Sequence, residues 1–185
     1  MIRSAQRLVL AIVLGALIAA CAGGQETSGR GKGSMDMQEA AERADELLDS
    51  VFGEIRPEVQ WMHGPTTTGN CDVTRRRVVM TVISPERRGS FLGLVDRYWR
   101  RGQYRIKAVN KDVDVPAIFA QTKDGFGVSL IVGGEGQVFF EVDSPCVRKS
   151  EVGEPVAEPN GPSYASSESI PRPNIHSDFW SAGAS

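Results

Sequence analysis

The stretch AIFAQTKDGFGVSLIVGGEGQVFFEV, residues 117–142, decides the fold. It contains three runs rich in β-branched and aromatic residues, which predict three strands: Ala117–Thr122, Phe126–Val132 and Gln137–Val142. Asp124-Gly125 between the first two runs is typical of a tight hairpin turn, because these residues tolerate the positive φ that such turns require. The glycines of 133–136 predict a looser hairpin before the third run. The stretch therefore predicts an antiparallel meander.

Two helices and two further strands are predicted on the amino-terminal side of this meander. Apolar residues at steps of three and four predict a helix from Met37 to about Gly53. Ser84-Pro85-Glu86 has the composition of a helix start and predicts a second helix that ends near Gly102. The further strands are predicted at Val73–Ile83 and Tyr104–Val109. The order predicts an α+β fold, a two-layer sandwich with both helices on one face of a mostly antiparallel five-stranded sheet.

Cys71 precedes the first predicted strand and Cys146 follows the last. Outside the cytoplasm two such thiols normally form a disulfide. A bond between them would place the first and last strands side by side and antiparallel, which gives the sheet order 2-3-4-5-1. A redox-active or metal-binding pair would instead require C-x-x-C spacing or flanking histidines, and neither is present in the sequence.

The first 21 residues resemble a bacterial lipoprotein signal. Arg3 and Arg7 precede the uncharged run Leu8–Ala20, which is short for a membrane span but typical of a signal-peptide core. The run ends in Ile18-Ala19-Ala20-Cys21, which is similar to a lipobox, whose cysteine receives a diacylglycerol and becomes the new amino terminus. The resemblance implies lipidation of Cys21, acyl chains such as palmitate, and a place on the extracytoplasmic face of the cell membrane. The alternative is an ordinary secretory signal with an unmodified Cys21 thiol.

The chain divides into four predicted segments. The signal peptide occupies 1–20, and the lipidated cysteine with a Gly/Ser-rich flexible tether occupies 21–35. The globular α+β domain occupies 36–149. A tail rich in Pro, Ser and Glu, 150–185, is predicted to be disordered. Its Asp178-Phe179-Trp180 cluster is interpreted either as a short docking motif or as a chance feature of the chain end.

Charge and motif composition exclude several function classes. The 185 residues carry 23 acids and 21 bases, a net charge of −2, which excludes the overall basicity of a nucleic-acid-binding protein. The two histidines, His63 and His176, lie in a Gly/Pro-rich connector and in the tail, and no Gly-x-Ser-x-Gly motif accompanies them. Glu141 and Asp143 are the only close acidic pair on a predicted strand, beside Cys146. We therefore expect no catalytic residues, no metal and no cofactor.

Asn110, Asp112 and Asp114 alternate as oxygen ligands do at the start of a calcium loop. A helix-loop-helix site would also need Gly at the sixth position and Glu at the twelfth, where Val115 and Gln121 stand. The pattern predicts a polar hairpin connection, with a weak non-helical calcium site as the alternative.

Arginines concentrate on the first predicted strand and the second predicted helix. On one outer face they would form a basic surface for anionic lipid headgroups or wall polymers; its residues are Arg75, Arg77, Arg87, Arg88, Arg100 and Arg101. The alternative is that they lie at a solvated face and pair with the acidic first helix. Strand alternation directs Arg75 and Arg77 to one face of the sheet and Arg76 to the other.

Several short motifs beyond the lipobox are similar to those of small actinobacterial lipoproteins, in particular the mycobacterial LppA-type family, over roughly residues 36–148. These motifs are Cys71, Tyr98-Trp99, Gly102-Gln103-Tyr104, Thr122-Lys123-Asp124-Gly125-Phe126 and Ser144-Pro145-Cys146. The excess of arginine over lysine, 16 to 5, indicates a GC-rich genome. The resemblance implies no known activity and therefore no catalytic residues.

The expected function is a lipid-anchored extracytoplasmic binding or accessory domain without catalytic activity. Its partners would be the membrane, through the anchor, and an envelope protein or anionic polymer. One alternative is a carrier of an apolar ligand in a pocket between sheet and helices. Another is an envelope hydrolase that uses a pair of carboxylates.

Overall fold

The structure, a computed structural model, describes residues 35–134, 136–162 and 170–183. Within these residues the elements in chain order are α1 (Met37–Glu54), β1 (Trp61–His63), β2 (Thr67–Thr68), β3 (Val73–Val79), α2 (Pro85–Arg101), β4 (Arg105–Asn110), β5 (Ala117–Gln121), β6 (Gly127–Val132) and β7 (Val138–Asp143). The predicted α+β class is confirmed. The predicted signal peptide, Cys21 and nearly all of the tether lie outside the described residues. Neither of the described helices is long and apolar enough to cross a bilayer.

The strands form one seven-stranded open sheet in the order β1-β3-β7-β6-β5-β4, with β2 also paired to β3. All pairings between these strands are antiparallel. The predicted count of five strands, and with it the predicted order, is wrong, because β1 and β2 extend the sheet beyond β3. Strands of three and two residues in a connector broken by Pro and Gly are too short to show alternation in the sequence. The five predicted strands lie next to one another as β4, β5, β6, β7 and β3.

Both helices cover the same face of the sheet. Phe140 of β7 contacts Phe52 of α1 with ring centroids 4.8 Å apart and Phe91 of α2 with centroids 6.1 Å apart. Helix α1 begins at a capping box, in which the Asp36 and Glu39 carboxylates each accept the other's backbone N–H at 3.0 Å. Helix α2 begins at Pro85 as predicted, but the Ser84 hydroxyl donates to the Ala182 carbonyl at 2.6 Å and makes no cap bond.

The disulfide predicted between Cys71 and Cys146 is confirmed, with Cα atoms 4.8 Å apart. It joins the start of β3 to the end of β7, which are antiparallel neighbours. The hairpin predicted between β5 and β6 is also present, and its Gly125 has the positive φ of 94° that the turn requires. These two features fix the register of the central part of the sheet.

The C-terminal segment, defined here as residues 150–162 and 170–183, packs on the domain. The prediction of disorder is wrong for these residues. The Asn160 side-chain oxygen accepts from Trp61 N at 2.9 Å, and the Ile175 carbonyl accepts from Val82 N at 2.8 Å. Trp180 is 1% exposed, stands edge-on to Phe91, and donates its indole N–H to the Pro57 carbonyl at 2.6 Å. Because the contacts reach separate parts of the chain, near residues 57, 61, 82 and 91, the segment shows no hydrophobic periodicity in the sequence.

Candidate functional site

A groove of about 510 Å³ lies between α2 and β4, the strand at one edge of the sheet. Its apolar surface is formed by Pro85, Leu92, Val109, Val113, Pro116 and Ile118. Val113 is 83% exposed and Val109 is 45% exposed, and both line the groove, so they form one contiguous exposed apolar surface. The groove therefore presents apolar surface that the fold itself does not cover.

Two glycines of α2 create the space for this groove. Gly89 and Gly93 stand one helical turn apart and both line it. A Cβ atom added at Gly89 would meet no heavy atom within 4 Å. Glycine has a lower helix propensity than most residues, but it has no side chain. The absence of side chains at these two positions leaves a gap between α2 and the sheet edge.

The loop from β4 to β5 forms the other wall and is held by its own side chains. The Asn110 side-chain oxygen accepts from Asp112 N at 3.1 Å, and Asp112 Oδ1 accepts from Val115 N at 3.0 Å and Asp114 N at 2.9 Å. These backbone N–H groups lower the pKa of Asp112, with Val115 N as the larger influence. The oxygens predicted as calcium ligands thus close an Asx-type loop. Within the described residues no cluster of three or more His, Cys, Asp or Glu could hold a metal.

The charged side chains of the groove are unequally paired. Arg100 Nε donates to both carboxylate oxygens of Asp96, at 2.9 and 3.0 Å. Arg88 makes only a long 3.4 Å contact to the Asp114 carbonyl, and its buried Nε has no hydrogen-bond partner among the described residues. No carboxylate in the described part of the chain lies within 4.0 Å of the cationic groups of Arg88 or Lys111. The cations that line the groove, Arg88, Arg100 and Lys111, exceed the lining carboxylates, Asp96 and Asp112, by one, so the net charge of the lining is positive.

The predicted basic surface is not continuous. Arg88 and Arg100 line the groove, whereas the Arg87 guanidinium lies over the Phe179 ring, 4.5 Å from its centroid. Arg75 and Arg77 are buried beneath α1, so the prediction is wrong for these two residues. The pairing half of the alternative is confirmed for three arginines, although only Arg101 of these lies at a solvated face; the pairs are Arg75–Asp45, Arg77–Asp49 and Arg101–Glu54.

The two buried arginines form a polar cluster inside the domain. Arg75 Nε lies 3.3 Å from Asp45 Oδ2, and its two terminal nitrogens donate to Thr66 Oγ1 at 2.6 Å and to the Gly153 carbonyl at 2.7 Å. Arg77 Nη2 lies 2.5 Å from Asp49 Oδ1, and its guanidinium stacks on the Trp61 ring. Burial raises the pKa of Asp45, against the opposing effect of Arg75. The cluster joins α1, β3 and the C-terminal segment and is structural.

The histidine and carboxylates considered for catalysis have structural partners. His63 Nε2 lies 2.7 Å from the Ala157 carbonyl and holds the C-terminal segment against β1. Arg76 Nε donates to Glu141 at 2.6 Å, and the Thr74 hydroxyl donates to Asp143 at 2.7 Å. These contacts give the carboxylate hydrolase no geometric support.

No family model, curated protein or solved structure matches this chain. The candidate site therefore rests on its geometry. The groove was not predicted from the sequence, although one signal for it is present there. The glycines at 89 and 93 interrupt the arginine-rich face of α2 at helical spacing.

Proposed function

We propose that this protein is a lipid-anchored extracytoplasmic binding domain that holds an apolar ligand in the groove between α2 and β4. The observation that carries the proposal is the groove itself. Its volume, about 510 Å³, lies within the range of roughly 300–1,000 Å³ that is typical of small-molecule sites. Its apolar walls would lose contact with water when a ligand binds, which favours binding.

The position of the groove favours a ligand that stays accessible. The alternative of a carrier places the ligand in a pocket between the sheet and the helices. The groove opens instead at the margin of the fold, between α2 and the edge strand β4. A ligand held there could pass to a partner without the core opening. A protein with such a groove would bind its ligand and could also carry it, so the binding domain and the carrier are the same proposal.

The chemistry of the groove supports binding without catalysis. Carboxylate-dependent hydrolysis needs one protonated acid and a second carboxylate on the opposite side of the substrate. Asp96 is paired with Arg100, and the pKa of Asp112 is lowered by backbone N–H groups. A lowered pKa makes Asp112 a poor proton donor at neutral pH, and Arg100 occupies both carboxylate oxygens of Asp96.

The membrane anchor is proposed from the lipobox-like sequence that ends at Cys21. Replacing Cys21→Ala should prevent acylation, so the protein should leave the membrane fraction or accumulate with its signal uncleaved. Fractionation and mass analysis of the amino-terminal peptide measure both effects. Ser28→Ala in the tether is the control and should behave as wild type. Unchanged membrane fractionation of Cys21→Ala, together with no acyl mass on wild type, would contradict the anchor.

Filling the groove should abolish ligand binding. Gly89→Leu places a side chain in the groove, and we expect ligand occupancy to fall at least about tenfold, the change that 1.4 kcal/mol produces. Folding should not suffer, because glycine inside a helix is about 1 kcal/mol less favourable than alanine. Native mass spectrometry of residues 22–185, secreted so that the disulfide forms, measures occupancy as extra mass that denaturation removes. The fragment is suitable because the described residues from Met35 onward belong to one compact unit.

The matched control for Gly89→Leu is Ser90→Leu. Ser90 is an exposed residue of the same helix that does not line the groove, so this variant should retain the ligand. A wild-type protein without extra mass, in material from the native host or a related one, would contradict ligand binding. Equal occupancy in wild type and Gly89→Leu would show that the ligand lies elsewhere.

A further inference from the structure

We infer that the ligand of the groove is an anionic amphiphile, whose alkyl chain lies on the apolar wall and whose phosphate or carboxylate head is bound by Arg88 and Lys111. The inference rests on the proposed function and specifies its ligand. It follows from the two kinds of surface that the groove brings together, an apolar wall and cations without a carboxylate partner.

Arg88 is the cation best placed to bind the head. Its side chain leaves the first turn of α2 and reaches the β4–β5 loop, where Nη1 is 3.4 Å from the Asp114 carbonyl. Its Nε is buried and has no acceptor among the described residues. A buried N–H without an acceptor is unfavourable, and a charged oxygen is the strongest partner that a guanidinium can receive. An anionic head at this end of the groove would give the guanidinium, which has no carboxylate partner among the described residues, a charged acceptor.

The charged residues that line the groove select ligands by the sign of the charge on the head group. Asp96 is already bound to Arg100, and Asp112 is bound to backbone N–H groups of its own loop. Lys111 on the facing wall adds a second cation without a carboxylate partner in the described residues. Asp112 keeps its own charge, so the lining carries three cations against two carboxylates, an excess of one positive charge that favours an anionic head over a cationic or neutral one.

The apolar wall requires more than a small anion. Val113 and Val109 are exposed large aliphatic side chains beside these cations. Inorganic phosphate would pair with Arg88 but would leave this apolar surface in water. A molecule with an alkyl chain and an anionic head satisfies both surfaces at once.

An extended peptide fits the same region less well. Strand β4 is an edge of the sheet, but its pairing with β5 is irregular between Ile106 and Ala108, and Lys107 stands at that irregularity. A bulge and a lysine are features that protect an edge against the addition of another strand. The occupant is therefore a small amphiphile in the groove and not a strand added beside it.

The test compares ligands that share one chain and differ in the head. Decyl phosphate, decanoate, decyl glucoside and decyltrimethylammonium are titrated calorimetrically, below their micellar concentrations, into residues 22–185. At least one anionic amphiphile should bind about tenfold tighter than the glucoside, and the ammonium compound should bind most weakly. Inorganic phosphate should bind at least about tenfold more weakly than decyl phosphate.

Two variants test whether Arg88 and Lys111 bind the head group of the ligand. Arg88→Gln should weaken the binding of the tighter anionic amphiphile about tenfold and change that of decyl glucoside less than about twofold. Lys111→Gln is a second variant with the same expectation, which keeps the test valid if Arg88→Gln does not fold. Arg97→Gln, an exposed position of α2 outside the groove, is the matched control and should bind as wild type.

The outcomes separate the inference from the proposed function. Equal affinity for anionic and neutral heads, or anionic binding that survives both Arg88→Gln and Lys111→Gln, overturns the inference and leaves the binding domain in place. Inorganic phosphate that binds as tightly as decyl phosphate also overturns it, because the chain would then contribute nothing. If the groove binds none of these amphiphiles and native material carries no ligand, both fail.

Discussion

Replacing Trp180 by alanine should lower the free energy of unfolding by about 3–5 kcal/mol, the usual effect of removing a buried large aromatic side chain. The ring is 1% exposed and packs edge-on against Phe91 of α2, with centroids 5.1 Å apart. Its indole N–H donates to the Pro57 carbonyl at 2.6 Å, so the substitution also leaves that acceptor without its partner. Because Trp180 joins the C-terminal segment to the core, its loss should loosen residues 170–183 as a unit.

Denaturant unfolding of residues 22–185, followed by circular dichroism, measures this effect. Phe179→Ala is the matched control, since Phe179 is the neighbouring aromatic residue but is 39% exposed. It should change the stability by about 1 kcal/mol or less, as surface substitutions usually do. Similar small effects for both variants would contradict a structural role for Trp180. A truncation after His176 should reproduce most of the loss seen with Trp180→Ala.

The contacts of Trp180 could not be predicted from the sequence. The Asp178-Phe179-Trp180 cluster stood out as an apolar motif in a polar tail, and docking was one of its two interpretations. The motif docks on its own domain, and Pro57, which accepts the indole hydrogen bond, is 123 residues away in the sequence. Helix α1 and the β5–β6 hairpin were predictable because their signals are local, a 3.6-residue period and an Asp-Gly turn. Contacts across such a separation leave no periodic signal.

The buried arginines carried a signal that could have been used. Val73, Arg75, Arg77 and Val79 alternate on one face of β3, and the two valines are fully buried. Asp45 lies within the apolar stripe of α1, four residues after Ala41 and three before Leu48. A carboxylate on the buried face of a helix needs a cation, and the same-face arginines of β3 were the available partners. The signal for the groove in the sequence is weaker, because the shape of the groove depends on the distance between the β4–β5 loop and α2.

Replacing Arg75 by methionine should lower the free energy of unfolding by about 3–5 kcal/mol, because removing one partner leaves a buried charge uncompensated. Arg75 is 2% exposed, pairs with Asp45, and donates to Thr66 and to the Gly153 carbonyl. Arg76→Met is the matched control on the opposite face of β3, where the pair with Glu141 is partly solvated. That control should lose about 1 kcal/mol or less. Denaturant unfolding at neutral pH measures both variants.

The loss of stability in Arg75→Met should also depend on pH, and the titration of Asp45 sets the direction of that dependence. Burial raises the pKa of Asp45, so the folded protein binds this proton more tightly than the unfolded chain, and stability falls as pH rises through the raised pKa. Arg75 opposes that loss by stabilising the carboxylate, so its removal should matter most at neutral pH and least near the ordinary pKa of aspartate. The double variant Asp45→Leu with Arg75→Met removes both charges and should lie within about 1 kcal/mol of wild type. A double variant as unstable as Arg75→Met would assign the loss to the Thr66 and Gly153 bonds instead of the ion pair.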